Sequence, residues 1–406
     1  MSASAAPEKR VLVTGAGPVG LTMAALLAYR GIPTLLVEER AEVDPEPKAS
    51  TFHAPTLELL DVLGVTEALV GKGLIADKYQ NRDREKGVVA EFDFGLLKDD
   101  TRYPFRLQCE QQRLCELLLD RLADEPLVEI RFSTRLDAFV DDGDGVTVTL
   151  VTDAGESVQE RASLLIAADG ASSTVREQLG VEFPGTTYED RYLVFLTDFA
   201  FEDVLDDLVL VNYISDPNEF VVLLRAPQAW RVLFRAEPEL TEEQAFDPVL
   251  AQRRLQGVVP RDEDYNVVHT QLYRIHQRVA ERFRVGRTLL IGDAAHLNSP
   301  IGGMGMNNGI HDAFDLARSL PDVVAGRATV DSLDDWARRR RDIALEYVQL
   351  ITDRNSKALA ERDEAARQAT QEQLRATASD PVKAREWLLS SSMLKAVNAQ
   401  RLLPYA

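Results

Sequence analysis

The sequence predicts an α/β fold: a Rossmann-like dinucleotide-binding domain interleaved with a β-rich second domain and followed by a C-terminal helical region. Three observations support this prediction. A strand, a glycine-rich turn and a helix follow one another from Val11. Two later apolar strands run towards Asp169-Gly170 and Gly292-Asp293. Between them, residues 188–270 change to short strands separated by prolines and acids.

The composition excludes several classes of protein. With 406 residues, 45% of them hydrophobic and 28% charged, the chain can bury a large core divided among two or three lobes. A formal net charge of −20 argues against binding to nucleic acid or to anionic membranes, so any attraction of an anionic ligand must come from local arginines. We expect no metal site, because neither Cys109 nor Cys115 has a metal-ligand spacing. Two cysteines and an N-terminus without an apolar run favour a cytoplasmic location.

The first motif is a dinucleotide-binding turn. The strand Val11–Val13 runs into Gly-Ala-Gly-Pro-Val-Gly, a helix follows, and a second strand ends at Glu38. In such a turn the first glycine permits the tight bend, the second lets a diphosphate approach the backbone, and the third packs helix on strand, while the acid binds ribose hydroxyls. The predicted contacts are Gly15, Gly17, Pro18, Val19, Gly20 and Glu38. This pattern alone leaves NAD and FAD open.

A thirty-residue stretch, Arg287–Leu316, carries the most specific signal. A short buried strand breaks at Gly292-Asp293, and the glycine-rich segment Pro300–Asn307 then leads into a helical pattern. Free backbone N–H groups at that helix N-terminus favour negative charge, such as that on the pyrimidine end of a reduced flavin. The Gly-Asp-Ala-Ala-His string alone is equally typical of an ordinary turn.

The middle of the chain supplies a third signal and a candidate substrate sheet. A strand meander from Val128 to Ile166, with a predicted hairpin at residues 142–145, ends in Asp169-Gly170. Taken alone, Asp-Gly is normally just a turn. In the later β-rich stretch the most interesting side chains, each of which also suits a structural role, are Tyr213, Arg225, Trp230 and Arg231.

Taken in this order, the three segments resemble the single-component flavin-dependent aromatic hydroxylases, the family typified by para-hydroxybenzoate hydroxylase. The resemblance implies that FAD is the bound dinucleotide. It implies that Asp293 contacts the ribityl chain, that amides near Met306 and Asn307 hold the flavin pyrimidine edge, and that Gln111 reaches the ring or ribityl chain. The implied cofactor contacts outside the first motif are Arg40, Lys48, Gln111, Asp169, Asp293, Gly302, Gly305, Met306 and Asn307.

The chain departs from the family pattern at Pro55, where an arginine often stands. Arg40 and Lys48 are the candidates to replace that arginine as the cation at the cofactor phosphate. The resemblance divides the chain into a discontinuous FAD-binding domain (8–77, 106–187 and 271–335), a substrate domain (78–105 and 188–270) and C-terminal helices (336–406). We expect no additional thioredoxin-like domain, and we expect the arginine run at 338–341 to form a solvated face.

The chemistry implied by the family is aromatic hydroxylation. FAD stays bound, NADH or NADPH visits and reduces it, and reaction with O2 gives a flavin C4a-hydroperoxide that an electron-rich ring attacks. The predicted substrate is a phenol or a hydroxylated N-heteroaromatic, with an aromatic polyketide as the alternative. The alternative from another class is a flavin-free binding protein of related fold, against which Glu38, Asp169 and Asp293 argue.

The candidate catalytic residues are the Pro300 carbonyl, His53, Tyr213 and Arg225. The Pro300 carbonyl is a candidate acceptor for the substrate hydroxyl, by analogy with the matching family proline. His53 also suits a packed loop histidine. The partners predicted are a small aromatic substrate and O2, with neither nucleic acid nor stable membrane association, and a homodimer is possible.

Overall fold

The computed structural model describes residues 9–405. In this range the strands are β1 (Val11–Thr14), β2 (Thr34–Val37), β3 (Thr51–Phe52), β4 (Leu74–Ala76), β5 (Lys78–Asp83), β6 (Gly87–Asp93), β7 (Arg106–Gln108), β8 (Val128–Arg131), β9 (Thr134–Asp141), β10 (Val146–Thr152), β11 (Ser157–Ala162), β12 (Leu164–Ala167), β13 (Gly185–Thr197), β14 (Val211–Ser215), β15 (Val221–Arg225), β16 (Trp230–Ala236), β17 (Val267–Val279), β18 (Arg284–Val285), β19 (Thr288–Leu290) and β20 (His296–Leu297).

The helices in the same range are α1 (Pro18–Tyr29), α2 (Ala54–Leu60), α3 (Thr66–Lys72), α4 (Gln111–Leu122), α5 (Thr174–Gln178), α6 (Glu242–Ala245), α7 (Pro248–Val258), α8 (Gly305–Val324), α9 (Asp334–Ile343), α10 (Leu350–Ala360), α11 (Glu364–Ala378), α12 (Pro381–Ser391) and α13 (Leu394–Ala399). A π-helical segment, Ala344–Gln349, joins α9 to α10. None of the helices within residues 9–405 combines the length and the apolar character needed to cross a bilayer.

A six-stranded sheet in the order β18-β19-β12-β1-β2-β8 organises the first half of the fold. Its strands from β19 to β8 are parallel, and β1, β2 and β12 are buried along their whole length, as their continuous apolar sequences require. Because carboxyl ends of parallel strands share one edge, the turns after β1, β12 and β19 lie side by side. This sheet, together with its helices, confirms the predicted Rossmann-like α/β fold.

A second sheet of eight strands, in the order β20-β17-β13-β16-β15-β14-β5-β6, is antiparallel apart from the β14-β5 pair. The early strands β5 and β6 therefore complete a sheet whose other strands come from residues 185–297. Leu250 and Leu255 of α7 pack against one of its faces. On the other face, Tyr192 and Val222 pack with Ile301, which lies in the loop before α8. This second face is therefore turned towards the glycine-rich loop.

The predicted hairpin at Asp142–Gly145 is present, and it joins β9 to β10 in a separate three-stranded sheet. The arginine run on α9 differs from the expected solvated face. The Arg338 side chain is 69% exposed, whereas that of Arg340 is fully buried. Arg340 follows the buried Trp336 by four residues, so helical periodicity places both side chains on the face that packs against the protein interior.

Candidate active site

In the turn after β1, the backbone at Gly15 lies close to the backbone of Ala168, and the start of α1 at Gly20 lies close to Gly15. Gly15 has a φ of +99°, and a Cβ there would lie 2.4 Å from the carbonyl oxygen of Ala168. A Cβ on Gly20 would lie 1.8 Å from the Gly15 oxygen. Gly17 is the N-cap of α1 and has open space around the equivalent position. The turn therefore leaves the N-terminus of α1 accessible to an anion such as a diphosphate.

Glu38 and two cations line the neighbouring part of the cleft. The Glu38 carboxylate accepts hydrogen bonds from the backbone N–H groups of Ala16 (2.7 Å) and Arg40 (3.0 Å). Asp44 pairs with both Arg40 (2.9 Å) and Lys48 (2.6 Å), which are largely exposed. The charge of Lys48 also opposes the rise in the pKa of Asp293, which places the two side chains in the same region.

Asp169 follows β12 and retains an unused oxygen. Its Oδ2 accepts a hydrogen bond from the N–H of Val175 (3.2 Å), while Oδ1 is buried and has no partner among residues 9–405. Burial raises the pKa of this carboxyl group. Arg176 on α5 donates to the Ala294 carbonyl (3.1 Å) and so joins this turn to the one after β19. The unused oxygen suits a ligand hydroxyl.

The turn after β19 is held by a buried ionic network. Asp312 on α8 accepts hydrogen bonds from Gly292 N (3.0 Å), His296 Nε2 (2.7 Å) and Arg340 Nε (2.6 Å). Burial alone would raise the pKa of Asp312, but the charge of Arg340 and the bond from His296 outweigh it and hold the pKa below its ordinary value. With Gly292 held in place, the Asp293 side chain remains exposed at this turn, and the pKa of its carboxyl group is raised because the surrounding protein displaces water from it.

The glycine-rich loop ends at a helix N-terminus with free donors. The N–H of Gly303 donates to the Pro300 carbonyl (2.9 Å), which closes a turn. A Cβ on Gly303, whose φ is +68°, would lie 2.8 Å from Cβ of Thr51. The first helical bond of α8 runs from Asn308 N to Met304 O (2.9 Å), so the preceding amides have no partner inside the helix. These amides belong to Gly305, Met306 and Asn307.

Asn307 attaches this loop to the segment before α2. Its Nδ2 donates to the carbonyls of Thr51 (2.8 Å) and Gly303 (2.7 Å), and its Oδ1 accepts the His53 N–H (3.0 Å). On the other side of the segment, Gln111 and Ala49 exchange two hydrogen bonds (3.3 and 2.9 Å). The structure therefore brings the predicted residues of four separate segments to one cleft.

His53 is fully buried beside the loop. Its Nε2 lies 2.8 Å from the Gly302 carbonyl, an acceptor, so Nε2 carries the proton and Nδ1 has a free lone pair. Nδ1 has no partner among residues 9–405. Burial, assisted by the charge of Arg106, lowers the pKa of His53 to about 3. His53 is therefore a neutral acceptor at physiological pH.

This buried histidine makes stability depend on pH. In the unfolded chain His53 becomes protonated below about pH 6.5, whereas in the folded protein it becomes protonated only below about pH 3. The free energy of unfolding is therefore expected to fall as the pH drops, with a contribution of about 1.5 kcal/mol from His53 between pH 6.5 and pH 5. Urea titrations at several pH values measure the free energy of unfolding of wild type and His53→Gln. The free energy of wild type should fall more steeply as the pH drops. His269→Gln, on β17, where the histidine side chain is 32% exposed, is the control. An equal dependence of the free energy of unfolding on pH in wild type and His53→Gln would contradict the assignment.

Tyr213 and Arg225 end on opposite faces of the eight-stranded sheet. Tyr213 pairs with Val222, on the face that packs with Ile301. Arg225 lies three residues beyond Val222, and an odd offset along a strand reverses the face. It sits 3.7 Å from Glu202 and donates to the Ala226 carbonyl (2.8 Å). The structure therefore brings Tyr213, His53 and the loop of Pro300 together but does not bring Arg225 to them.

Two buried arginines lie near the site: Arg231, which the sequence singled out only as a side chain of interest in the β-rich stretch, and Arg106, which it did not single out. Arg231 on β16 is 8% exposed and donates to the Pro47 carbonyl (2.7 Å). Arg106 on β7 is 3% exposed and contacts the Tyr213 hydroxyl. The available signal for Arg106 was a charged residue inside the apolar run before Gln111. In the described part of the chain, no group of three or more His, Cys, Asp or Glu residues is arranged to hold a metal ion.

The chain is similar to proteins of one known family. Residues 8–350 match the family described as FAD binding domain. The chain is 31% identical over 397 residues to para-nitrophenol 4-monooxygenase of Pseudomonas sp. (strain WBC-3), covering 97% of each chain. It is 33% identical over 352 residues to 6-hydroxy-3-succinoylpyridine 3-monooxygenase of Pseudomonas putida (strain DSM 28022 / S16), covering 86% of this chain and 88% of that one. The crystal structure of p-nitrophenol 4-monooxygenase from Pseudomonas putida DLL-E4 matches with a TM-score of 0.90 at 30% identity, over 96% of this chain and 98% of that chain.

Proposed function

The chain belongs to the FAD-binding family of flavin-dependent aromatic monooxygenases, and from this premise we propose that it hydroxylates a single aromatic ring bearing a hydroxyl group, a phenol or a hydroxypyridine. FAD is the cofactor, and NAD(P)H and O2 are the co-substrates. The observation that carries the proposal is the convergence of Gly15, Asp169 and Asp293 at the carboxyl ends of three adjacent parallel strands.

The residues present fit FAD. The open N-terminus of α1 at Gly17 suits the diphosphate, with Pro18, Val19 and Gly20 continuing the turn, and Glu38 suits the ribose hydroxyls. Arg40 and Lys48 supply positive charge on the rim. The unused Asp169 oxygen and the exposed Asp293 carboxylate are acceptors for hydroxyl groups of the chain between phosphate and ring. The full proposed set is Gly15, Gly17, Pro18, Val19, Gly20, Glu38, Arg40, Lys48, Gln111, Asp169, Asp293, Gly302, Gly305, Met306 and Asn307.

FAD, when bound, accepts electrons from NAD(P)H and activates O2 for transfer of one oxygen atom to an aromatic ring. The protein's own part is to bind, orient and enclose. The free amides at the start of α8 stabilise negative charge on the ring system. The apolar sheet face around Tyr192 and Ile301, covered by Leu359 of α10, excludes water.

Two acceptors are available for the substrate hydroxyl. The Pro300 carbonyl uses one lone pair for Gly303 and keeps the other, and His53 Nδ1 is unused. An acceptor at the hydroxyl makes a phenol more phenolate-like and its ring more electron-rich. We therefore propose the Pro300 carbonyl, His53 and Tyr213 as the residues around the reacting ring.

The relatives favour a single-ring substrate. The match to a para-nitrophenol 4-monooxygenase covers nearly the whole of both chains. The 6-hydroxy-3-succinoylpyridine relative adds a hydroxylated N-heteroaromatic. An aromatic polyketide is therefore the weaker alternative. Family membership also disfavours a flavin-free binding protein. We retain residues 78–105 and 188–270 as the substrate domain and 336–406 as the C-terminal helices.

The purified protein is expected to be yellow and to oxidise NADH or NADPH faster when a suitable phenol or hydroxypyridine is added. p-Nitrophenol and 6-hydroxypyridine derivatives are the first compounds to try, with isotope-labelled O2 to show oxygen transfer by mass spectrometry. A colourless protein that takes up no FAD would contradict the proposal. So would NAD(P)H oxidation that no aromatic compound in either class accelerates.

Asp293→Ala tests the cofactor site directly. Loss of this acceptor is expected to raise the Kd of FAD by about 10- to 100-fold, as for a hydrogen bond to a charged group. The Kd is measured by the quenching of flavin fluorescence. Asp144→Ala, in the hairpin between β9 and β10, is the control and should leave the Kd unchanged. Equal affinities in the two variants would remove Asp293 from the site.

Cellular location and assembly are separate proposals. Cys109 and Cys115 are buried free thiols, and burial raises the pKa of each to about 12, so neither is poised for oxidation. This supports a cytoplasmic enzyme. A homodimer stays a prediction, which sedimentation analysis of the holoenzyme would test.

A further inference from the structure

Arg106 is a buried cation that the proposed cofactor site does not use. Its side chain, on β7, is 3% exposed. Within residues 9–405 its hydrogen-bond partner is the Tyr213 hydroxyl, 3.3 Å from Nη1, and Nε is buried without any partner. No carboxylate in that range forms an ion pair with it. A guanidinium stays charged at any physiological pH, and a charge buried without a counter-ion is unfavourable.

The other buried arginines of this protein are compensated differently. Arg340 pairs with Asp312, and Arg254 pairs with Glu237 (2.7 Å). Arg176 and Arg231 donate to backbone carbonyls. Arg106 has neither a carboxylate nor a carbonyl partner among residues 9–405, and it lies over the rings of Tyr79 and Phe94, with its central carbon 4.7 and 5.3 Å from their centroids. Ring faces attract a cation but leave its N–H donors unsatisfied. The site therefore lacks an anion.

The position of Arg106 connects it to the proposed reaction. β7 pairs with β3, which leads directly into His53. Arg106 is close enough to His53 to lower its pKa, and His53 contacts the loop at Gly302. On its other side Arg106 meets Tyr213 of the eight-stranded sheet. Arg106 thus lies between the loop proposed to hold the flavin ring and the sheet proposed to cover the substrate.

We propose that Arg106, together with Tyr213, binds an anionic oxygen of the aromatic substrate, so that the substrate class is a ring carrying a phenolate or a carboxylate. This inference rests on the proposed function. An N–H donor on a permanent cation stabilises the ionised oxygen over the protonated one, and an ionised ring hydroxyl is more electron-rich. The bound anion would act as the counter-ion that Arg106 lacks within the protein. Such a local positive site is needed because the net charge of −20 otherwise repels anions.

The experiment uses the FAD-loaded enzyme and measures the Kd of p-nitrophenol from the change in flavin absorbance over a range of pH. In wild type the binding should tighten as the pH rises through the pKa of the phenol. In Arg106→Met the Kd at high pH should rise by about 10- to 100-fold, as expected for lost hydrogen bonds to a charged group. The pH dependence should disappear as well. Arg106→Lys keeps the charge and should retain the pH dependence at an intermediate Kd.

A second pair of compounds identifies the source of the anionic oxygen. If Arg106 binds a carboxylate, wild type should bind 4-hydroxybenzoate more tightly than its methyl ester, and Arg106→Met should remove that difference. If Arg106 binds a phenolate, wild type should bind the acid and the methyl ester equally well. Wild type and Arg106→Met should then differ only in how their affinity for phenols depends on pH. Either result supports an anion site.

Arg254→Met is the matched control, because Arg254 is a similarly buried arginine on α7, the helix that packs against the opposite face of the sheet. It should leave the Kd and its pH dependence unchanged. The inference is overturned if Arg106→Met loads FAD and binds ionised compounds within twofold of wild type. If that variant fails to load FAD, the Kd of the ionised phenol in Arg106→Lys and Tyr213→Phe decides, and a wild-type Kd in both variants would overturn the inference. Failure of wild type to bind any phenol would instead count against the proposed function.

Discussion

Replacing Arg340 by methionine is expected to lower the free energy of unfolding by about 3–5 kcal/mol, the usual cost of removing one partner of a buried ion pair. Arg340 is fully buried and donates to Asp312 (2.6 Å), to Asn308 Oδ1 (2.6 Å) and to Gln400 Oε1 (2.5 Å). Without it, the Asp312 carboxylate is left in the interior with only the hydrogen bonds from Gly292 N and His296 Nε2. Chemical denaturation of the holoenzyme measures the loss.

The same helix supplies the control. Arg338→Met removes an arginine whose side chain is 69% exposed and pairs with Asp335 at the surface, so it should change the free energy of unfolding by less than about 0.5 kcal/mol. The double variant Arg340→Met with Asp312→Leu removes both charges and should recover part of the loss. Equal effects of Arg338→Met and Arg340→Met would show that the buried network does not stabilise the fold.

The second large effect is expected from Gly20→Val, which should abolish FAD binding. A Cβ at this position would lie 1.8 Å from the Gly15 oxygen, so the turn must move away from α1. Overpacking of this kind costs about 3 kcal/mol where the obstacle can shift, and here the obstacle is backbone. The displaced turn no longer presents the α1 N-terminus to the diphosphate. Flavin absorbance after purification, and after incubation with added FAD, measures the loss.

Gly71→Ala in α3 is the control for Gly20→Val. A Cβ at Gly71 would meet no atom within 4 Å, and alanine is the better helix former, so stability should be kept or slightly increased. Normal FAD content in Gly20→Val would show that the turn after β1 is not the cofactor site. Loss of FAD in both variants would indicate general sensitivity of the fold rather than a blocked site.

The regular elements near the cofactor site were predictable because each depends on local sequence. β1, the Gly15–Gly20 turn and α1 follow from an apolar run, glycines and a helical stretch that adjoin one another in the chain. The hairpin at Asp142–Gly145 follows from its turn residues. The helix starting at Gly305 follows from the end of the glycine-rich loop. In each case neighbouring residues supply most of the information.

The side-chain environment was less predictable. Arg338 and Arg340 belong to one run of arginines, and only the packing of α9 against α8 separates a solvated side chain from a buried ion pair. Tyr213 and Arg225 both belong to the predicted substrate sheet, yet strand alternation puts them on opposite faces. Such differences depend on register, which a single sequence specifies weakly.

The sequence alone identified the α/β class, the family and the three segments proposed to bind the cofactor, since these depend on residue types at short spacings. Tertiary structure decided which distant side chains share an environment: Asp312 with Arg340, Asn307 with His53, and Arg106 with Tyr213. The physical reason is that the burial of a side chain and the neutralisation of its charge depend on its three-dimensional surroundings, which residues distant in sequence provide. Strands far apart in the chain must pair before an arginine such as Arg106 is enclosed without a counter-ion.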